Sequence, residues 1–536
     1  MLGTNTIKQL IESAQKLSEA GELVQAINLL KLVLVKNPKN NTAKQQLRSL
    51  EKRINTNKSQ QPPQHIISNL IKLLDSSQIK TVLKEAPLIL EAYPNSDVAW
   101  TIYARALQLV GKIENALKAS KNVLRLKPKS PEALNNHSVI LRSANRFDES
   151  SQYASKAIDL KEDYFDAHFN LALCHIGLKQ ASRAITALNI CLSIEPQSVP
   201  VYQALGSVYF NEGNLEKAIV AYGLALKLNS KDQETIDNLL TLVVQGISVR
   251  EKMSPSAQDG FPHLLVGRSK TLKNLVLSAI ASFLDSDLDE MNKHLQEYYE
   301  RVQSKEKLNA KDERFCKGYA VFLTKLSQEK INLPITEAEP VFHIGESHCL
   351  SFKGYTWQNN QYSFYIEPKL VLGAKAFHFS GARENAYKSI TREHLSAIPS
   401  KAKVLLSFGE IDCRLSEGII SASQRNDVPI DDVIKSTVSG YLEWFHKQNQ
   451  KFMHDMVVLN IPAPLKKRAA RDASEQLKHV IELFNKELDN TISQYNFSVF
   501  DIYSSTLDKN GYSNEKYHID DYHISRSILS AMPSPF

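Results

Sequence analysis

At 536 residues the chain is too long for one ordinary hydrophobic core, so about three folding units are expected. Its 43% hydrophobic and 23% charged residues leave little room for long disordered tracts. The +7 formal charge, from 65 basic and 58 acidic residues, includes no like-charge block of the kind a nucleic-acid binder concentrates on one face. Short basic groups such as Lys401 with Lys403, and residues 466–468, read as solvated surface.

The five cysteines, Cys174, Cys191, Cys316, Cys349 and Cys413, show no C-x-x-C spacing, so neither a disulfide framework nor a zinc knuckle is expected, and a reducing compartment fits. The first ten residues lack a basic start followed by an apolar core. No apolar run approaches the roughly 20 residues needed to span a bilayer. The expectation is a cytoplasmic protein with no membrane span and no nucleic-acid partner.

In chain order, the first half is helical and repeats with a period of 34. Stepping from Pro128 reaches Pro94, Glu162, Pro196 and Ser230, each at the end of a helical pattern, where proline suits a helix that must stop. Small residues keep the same step: Ala104, Ser138, Ala172 and Gly206 on the first helix, Ala116, Ser150, Ala184 and Ala218 on the second. These are the positions where two helices can approach closely. The last unit, with Tyr202, Leu205, Gly206, Tyr209, Gly213, Ala218, Tyr222 and Ala225, resembles the tetratricopeptide repeat.

An N-terminal copy, residues 1–54, carries Ala14, Gly21, Ala26 and Pro38, and the polar stretch 55–64 reads as a loop. The array proper is assigned to 65–248, with Pro87 expected to kink one helix and the pattern over 234–248 expected to cap the stack. Its concave face would hold a protein or peptide partner, with Tyr103, His137, Asn170 and His175 as possible lining residues. Residues 249–335 read as a Ser/Pro/Gly connector (251–267) and a helical bridge (271–328) whose allegiance the sequence leaves open.

From residue 336 short β-rich runs alternate with helices, the pattern of an α/β domain with a mostly parallel sheet. Strands are expected at 341–344, 404–408, 456–461 and 497–502, and helices at 432–448 and 473–495. Ligands in such sheets sit at the carboxyl ends of the strands. There the sequence has Gly345-Glu346-Ser347-His348 and Gly409-Glu410-Ile411-Asp412-Cys413-Arg414, and near its end His518-Ile519-Asp520-Asp521-Tyr522-His523. A serine at the first strand end and Asp-x-x-His near the C-terminus resemble the GDSL or SGNH hydrolase superfamily, over roughly residues 340–536.

That resemblance implies a flavodoxin-like three-layer domain behind the all-α solenoid. It also implies Ser347 as nucleophile, His523 as general base and Asp520 as orienting acid, with Glu346 replacing the usual Asp of the G-D-S triplet. Gly381 is the candidate for the second block's oxyanion glycine. Gly409 opens the third block, where Ile411 stands in place of an Asn oxyanion donor. Losing such a donor typically costs about 2.7–4 kcal/mol of transition-state stabilisation. His348 and Arg414 could supply positive character, or Glu410, Asp412 and Arg414 could form a structural ion-pair cluster.

The expected activity is therefore a serine acyl-ester hydrolase or acyltransferase, acting on an ester or acylated glycan or on a protein-borne acceptor held by the solenoid. The alternative is a catalytically degenerate binding module on an interaction scaffold. No G-x-G-x-x-G or G-x-x-x-x-G-K-[ST] motif points to a nucleotide, no His-x-x-x-His pair to zinc, and no cofactor or metal is expected.

Overall fold

The computed structural model describes residues 4–57, 61–253, 271–304, 306–329, 338–358, 363–415, 418–466 and 471–536. Most of the expected connector at 251–267, the middle of the polar stretch 55–64 and part of 466–468 lie outside these residues. The chain divides into two compact units, Met1–Gln197 and Ser198–Phe536.

The first unit is all helical. Its regular pairs are Asp97–Leu109 with Ile113–Leu126, Pro131–Ser143 with Phe147–Leu160, and Phe165–Gly177 with Ala181–Ile194, so first helices and second helices alike begin 34 residues apart. Ser96 and Ser130 start two of them, each hydroxyl accepting a backbone N–H three residues on and satisfying a donor the helix leaves unpaired. Ala104, Ala116, Ala172 and Ala184 are buried where helices touch. Where the repeat places Ser138 opposite Ser150, the hydroxyls hydrogen-bond at 2.9 Å, so small size is kept without an orphaned polar group. Earlier in the chain, Thr4–Glu19 pairs with Leu23–Lys36, and Ile79–Ala92 remains one helix through Pro87.

The second unit opens with another pair on the same 34-residue step, Val199–Asn211 and Leu215–Leu228, then Gln233–Val243. Leu215, Ile219 and Tyr222 lie in one buried cluster with the sheet residues Phe342, Val404 and Leu406. This repeat and the sheet therefore share a core. The Gln245 side chain accepts the Leu372 N–H at 2.8 Å across the same junction. Helices Leu272–Leu284, Leu288–Gln303 and Ala310–Leu326 form the bridge, which packs on both neighbours: Leu275, Ile280, Phe283 and Phe322 share one buried cluster with Leu240 and Val244 after the last repeat and with Leu350 and Leu370 of the α/β part. The Lys353 ammonium caps the end of the first of these helices, donating to the Phe283 and Leu284 carbonyls and to Ser286 Oγ.

Among the described residues six strands form the mixed sheet: β1 (Glu339–Gly345), β2 (Thr356–Gln358), β3 (Ser363–Leu370), β4 (Lys403–Ser407), β5 (Asp455–Leu459) and β6 (Ser498–Phe500), in spatial order β2-β3-β1-β4-β5-β6. All neighbours are parallel except β2 with β3. Phe342 and Ile344 face a layer that includes helix Ile430–Phe452 and helix Arg471–Ile492, while Val341, Leu405 and Val457 face the C-terminal segment with Ile524 and Leu529. Strand β1 is central, with β3 on one side and β4 on the other, so the chain reverses its winding between β1 and β4. A crevice opens at such a reversal, beyond the carboxyl ends of the strands.

Candidate functional site

Ser347 lies two residues beyond β1, at the winding reversal, where it precedes the short helix His348–Ser351. Its hydroxyl lies 2.7 Å from His523 Nε2, although 176 residues separate them in the chain. His523 Nδ1 lies 2.8 Å from Asp520 Oδ2, and the His523 backbone N–H donates to Asp520 Oδ1, which closes the Asp-x-x-His turn. Burial opposes ionisation of Asp520, but hydrogen bonds from His523 and the adjacent backbone outweigh it and hold the carboxyl well below its usual range. An ionised carboxylate only accepts, so His523 Nδ1 holds its proton toward Asp520, and in the neutral form of the ring Nε2 presents its lone pair to Ser347.

The serine has a second neighbour. Glu346 is buried, and its Oε2 accepts both the Ser347 N–H and the Ser347 hydroxyl. Its other oxygen accepts the Tyr319 hydroxyl at 2.7 Å. Burial raises the Glu346 carboxyl, but Ser347, the Arg414 charge and Tyr319 together bring it below its usual value. The single serine proton is thus contested by two acceptors, Glu346 and His523.

The cleft beside them is lined by Glu346, His348, Ala374, Gly409, Ile411 and Pro462 among others, from the ends of β1, β3, β4 and β5. Its free volume is about 20 Å³, room for roughly one water. Gly409 has φ +116°, and a β-carbon there would come within 2.8 Å of Phe484, so both backbone and space require glycine. Ile411 reaches the cleft with an apolar side chain.

The possible ion-pair cluster divides in two. Glu410 accepts from Arg414 Nε and Nη2, and the guanidinium also lies 4.2 Å over the Tyr522 ring. Asp412 faces elsewhere, accepting the Ala376 and Phe377 N–H groups at 2.7 and 3.1 Å; burial pushes its carboxyl up to about 6. It ties down the segment after β3. The second ring nitrogen of His348, Nε2, lies 3.0 Å from the Tyr522 carbonyl oxygen, and burial followed by the His523 charge lowers its pKa to about 3, so it is neutral and buttresses the His523 loop.

Gly381 is not brought to the cleft. It is exposed at the end of the short helix Phe377–Ser380, and its carbonyl accepts from Lys388. The segment at the crevice is instead the end of β3, where Gly373 has φ +70° and Ala374 lines the cleft. His343 is buried in β1 with Nε2 2.8 Å from Ser407 Oγ, and the Cys349 and Cys413 thiols are buried and pushed well above their usual range. Among the described residues no group of three His, Cys, Asp or Glu side chains could hold a metal ion.

Two contributors carry no motif: Tyr319, on Glu346, and Phe322, whose ring stacks on His523 with centroids 3.9 Å apart. Only the helical spacing of aromatic residues in Ala310–Leu326 hinted at a buried face.

In the first unit a cavity of about 440 Å³ is lined by Thr101, Arg105, Asn135, Asn136, Arg142 and Asn170 among others. Of the four groove candidates, Asn170 lines it and accepts from Arg142. His137 is buried with Nδ1 2.7 Å from Ser120 Oγ, Tyr103 packs on an apolar cluster, and His175 Nδ1 is 2.8 Å from Gln180 Oε1.

Helix pairs on a fixed step, joined to a mixed sheet, define a helical-repeat scaffold. The tetratricopeptide repeat family model matches residues 199–232, the helix pair that shares the sheet's core. The chain is similar to BBSome complex member BBS4 of Bos taurus, 25% identical over 171 residues, 32% of this chain and 32% of that protein. It is also similar to protein O-mannosyl-transferase Tmtc3 of Drosophila melanogaster, 30% identical over 111 residues, 20% of this chain and 12% of that protein. The chain thus spans a third or less of these curated relatives. A solved tetratricopeptide repeat protein from Parabacteroides merdae aligns at 14% identity and TM-score 0.31, over 59% of this chain and 99% of its own. Among the described residues no helix is long and apolar enough to cross a membrane.

Proposed function

We propose that residues 336–536 form an SGNH-type, flavodoxin-like domain that transfers acyl groups from an ester through Ser347. The observation that carries this reading is the chain of contacts from Ser347 Oγ to His523 Nε2 and from His523 Nδ1 to Asp520. Supporting it are the position of Ser347 beyond β1 at the winding reversal and the strand order of the sheet. Ser347 Oγ attacks the ester carbonyl carbon as its proton passes to His523 Nε2. The tetrahedral adduct expels the alcohol, which takes that proton. Water or an acceptor hydroxyl then attacks the acyl-serine, giving its proton to His523, and the second adduct breaks the Ser347 Oγ–acyl bond as His523 returns that proton to Oγ. Acylated glycan or a protein-borne acceptor fits the pairing with a repeat scaffold.

Hydrolysis of short-chain aryl acetates and labelling by a fluorophosphonate, each compared with Ser347→Ala, test the reading. Turnover and labelling that disappear together in the variant support it. Absence of both in the wild type sinks it.

A second reading is favoured by Glu346 and Ile411. The Ser347 N–H, a donor an acyl-transfer site would turn toward the developing oxyanion, is held by Glu346, and Ile411 offers no replacement. On that reading the domain is a binding module, and ligand capture without turnover is its signature.

A further inference from the structure

We infer that helix Ala310–Leu326, which lies outside the α/β sequence pattern, is a positioning element of the Ser347 site, with Phe322 setting the plane of the His523 imidazole and Tyr319 anchoring Glu346. The inference rests on the acyl-transfer reading for its kinetic consequence but not for its geometry.

The argument begins with what two hydrogen bonds can fix. Those at Nδ1 and Nε2 pin the His523 ring at two points and leave it free to tilt about the line joining them. Only contacts to the ring faces remove that freedom. Phe322 covers one face in a near-parallel stack, 3.9 Å between centroids and 19° between planes, and is itself fully buried. The ring of His348 lies 5.3 Å from that of His523, tilted by 38°. A tilt of the imidazole would drive it into Phe322.

The same helix holds the rest of the constellation. Tyr319, Phe322 and Lys325 recur every three residues and so fall close to one face. Tyr319 donates to Glu346 Oε1, and Lys325 Nζ donates to the Ile519 carbonyl at 2.9 Å, on the loop that carries Asp520 and His523. Ile519 N–H in turn donates to the His523 carbonyl. Three successive positions of one helix face therefore touch the neighbour of the serine, the ring of the histidine and the backbone of its loop. By donating to Glu346 Oε1, Tyr319 lowers the proton affinity of the carboxylate whose Oε2 competes with His523 for the serine proton.

The stack is also suited to the charge that appears during acyl transfer. When His523 takes the serine proton it becomes a cation against an aromatic face, an arrangement the ring quadrupole favours. Phe322 acts through His523 and touches no reacting atom of the ester, so it is a positioning residue.

The test uses the full chain with ¹⁵N-labelled histidine. The Nδ1–H of His523, bonded to Asp520, gives a far-downfield proton resonance, assigned by its loss in Asp520→Asn. Phe322→Leu keeps apolar volume but no flat face, and Phe322→Tyr keeps the face. The expected result is that Phe322→Leu broadens or loses the resonance and slows fluorophosphonate labelling of Ser347 about 10–100-fold, the scale of a misplaced catalytic group. Phe322→Tyr should restore both. Tyr319→Phe should slow labelling and leave the resonance in place.

A Phe322→Leu protein that melts as the wild type does and keeps both resonance and labelling rate overturns the proposal, as does a wild type with no such resonance. A wild type that shows the resonance, loses it in Phe322→Leu and yet never labels keeps the positioning role and removes the acyl-transfer reading.

Discussion

The repeat helices of residues 97–194 and the crevice at the end of the sheet solve their structural problems in opposite ways. In the repeats each close approach is made again 34 residues later by an equivalent small side chain, as with Ala104, Ser138 and Ala172. Stability is then a sum of similar neighbour terms, and no single position is unique. At the crevice no contact is repeated elsewhere by a fixed step, and its members come from the end of β1, the Asp-x-x-His loop and the helix Ala310–Leu326. Redundancy protects the repeats. The site has none.

The sharpest way to break this contrast is Asp520→Asn. An amide cannot fix the Nδ1-protonated tautomer as a carboxylate does, so on the acyl-transfer reading turnover of an aryl acetate should fall about 10⁴-fold, and because hydrogen bonds hold the Asp520 carboxyl well below its usual range, the melting temperature should fall as well. Activity that survives would show that the serine does not depend on this histidine and acid.

The next effect is on stability. Burial raises the Asp412 carboxyl to about 6, against about 3.9 in an unfolded chain. Between those values the folded protein keeps a proton that the unfolded chain has lost, so the Asp412 contribution falls as pH rises, by up to about 3 kcal/mol. Asp412→Asn removes that dependence. Denaturant melts at pH 4 and pH 7 should show the variant gaining on the wild type as pH rises. A constant gap would show that Asp412 does not titrate in this window.

The same contrast explains what could be read from the sequence. The 34-residue step marked the ends of the helix pairs, two residues after Ala92, Leu126, Leu160, Ile194 and Leu228, because each pair restates the pattern. Ser347, Asp520 and His523 stand out in the sequence because two of them lie in one short turn and the third comes two residues after a strand. Strand β3 was missed. It contains Pro368, which lies beyond the three residues that β2 pairs, where a missing N–H leaves no gap in a ladder with β2. The bridge helix could not be assigned because Tyr319 and Phe322 meet Glu346 and His523 only through folding, and no local pattern records those contacts.

Two smaller effects sharpen the comparison. Ile411→Asn places an amide at the cleft; on the acyl-transfer reading it should raise kcat/KM about tenfold, part of the range an oxyanion donor supplies. No gain would turn attention to Glu346, which holds the Ser347 N–H.

The smallest effect belongs to the repeats. At Gly177 a β-carbon would lie 2.5 Å from the Phe147 ring, so Gly177→Ala forces the ring to move. Such overpacking costs about 1–3 kcal/mol, while alanine in place of glycine within a helix returns up to about 1. A net loss of about 1 kcal/mol should appear in denaturant melts, and Phe147→Leu in the same chain should recover part of it by making space. If the double variant is no more stable than the single one, the crowding lies elsewhere, and the closeness of this helix pair is not set by the glycine.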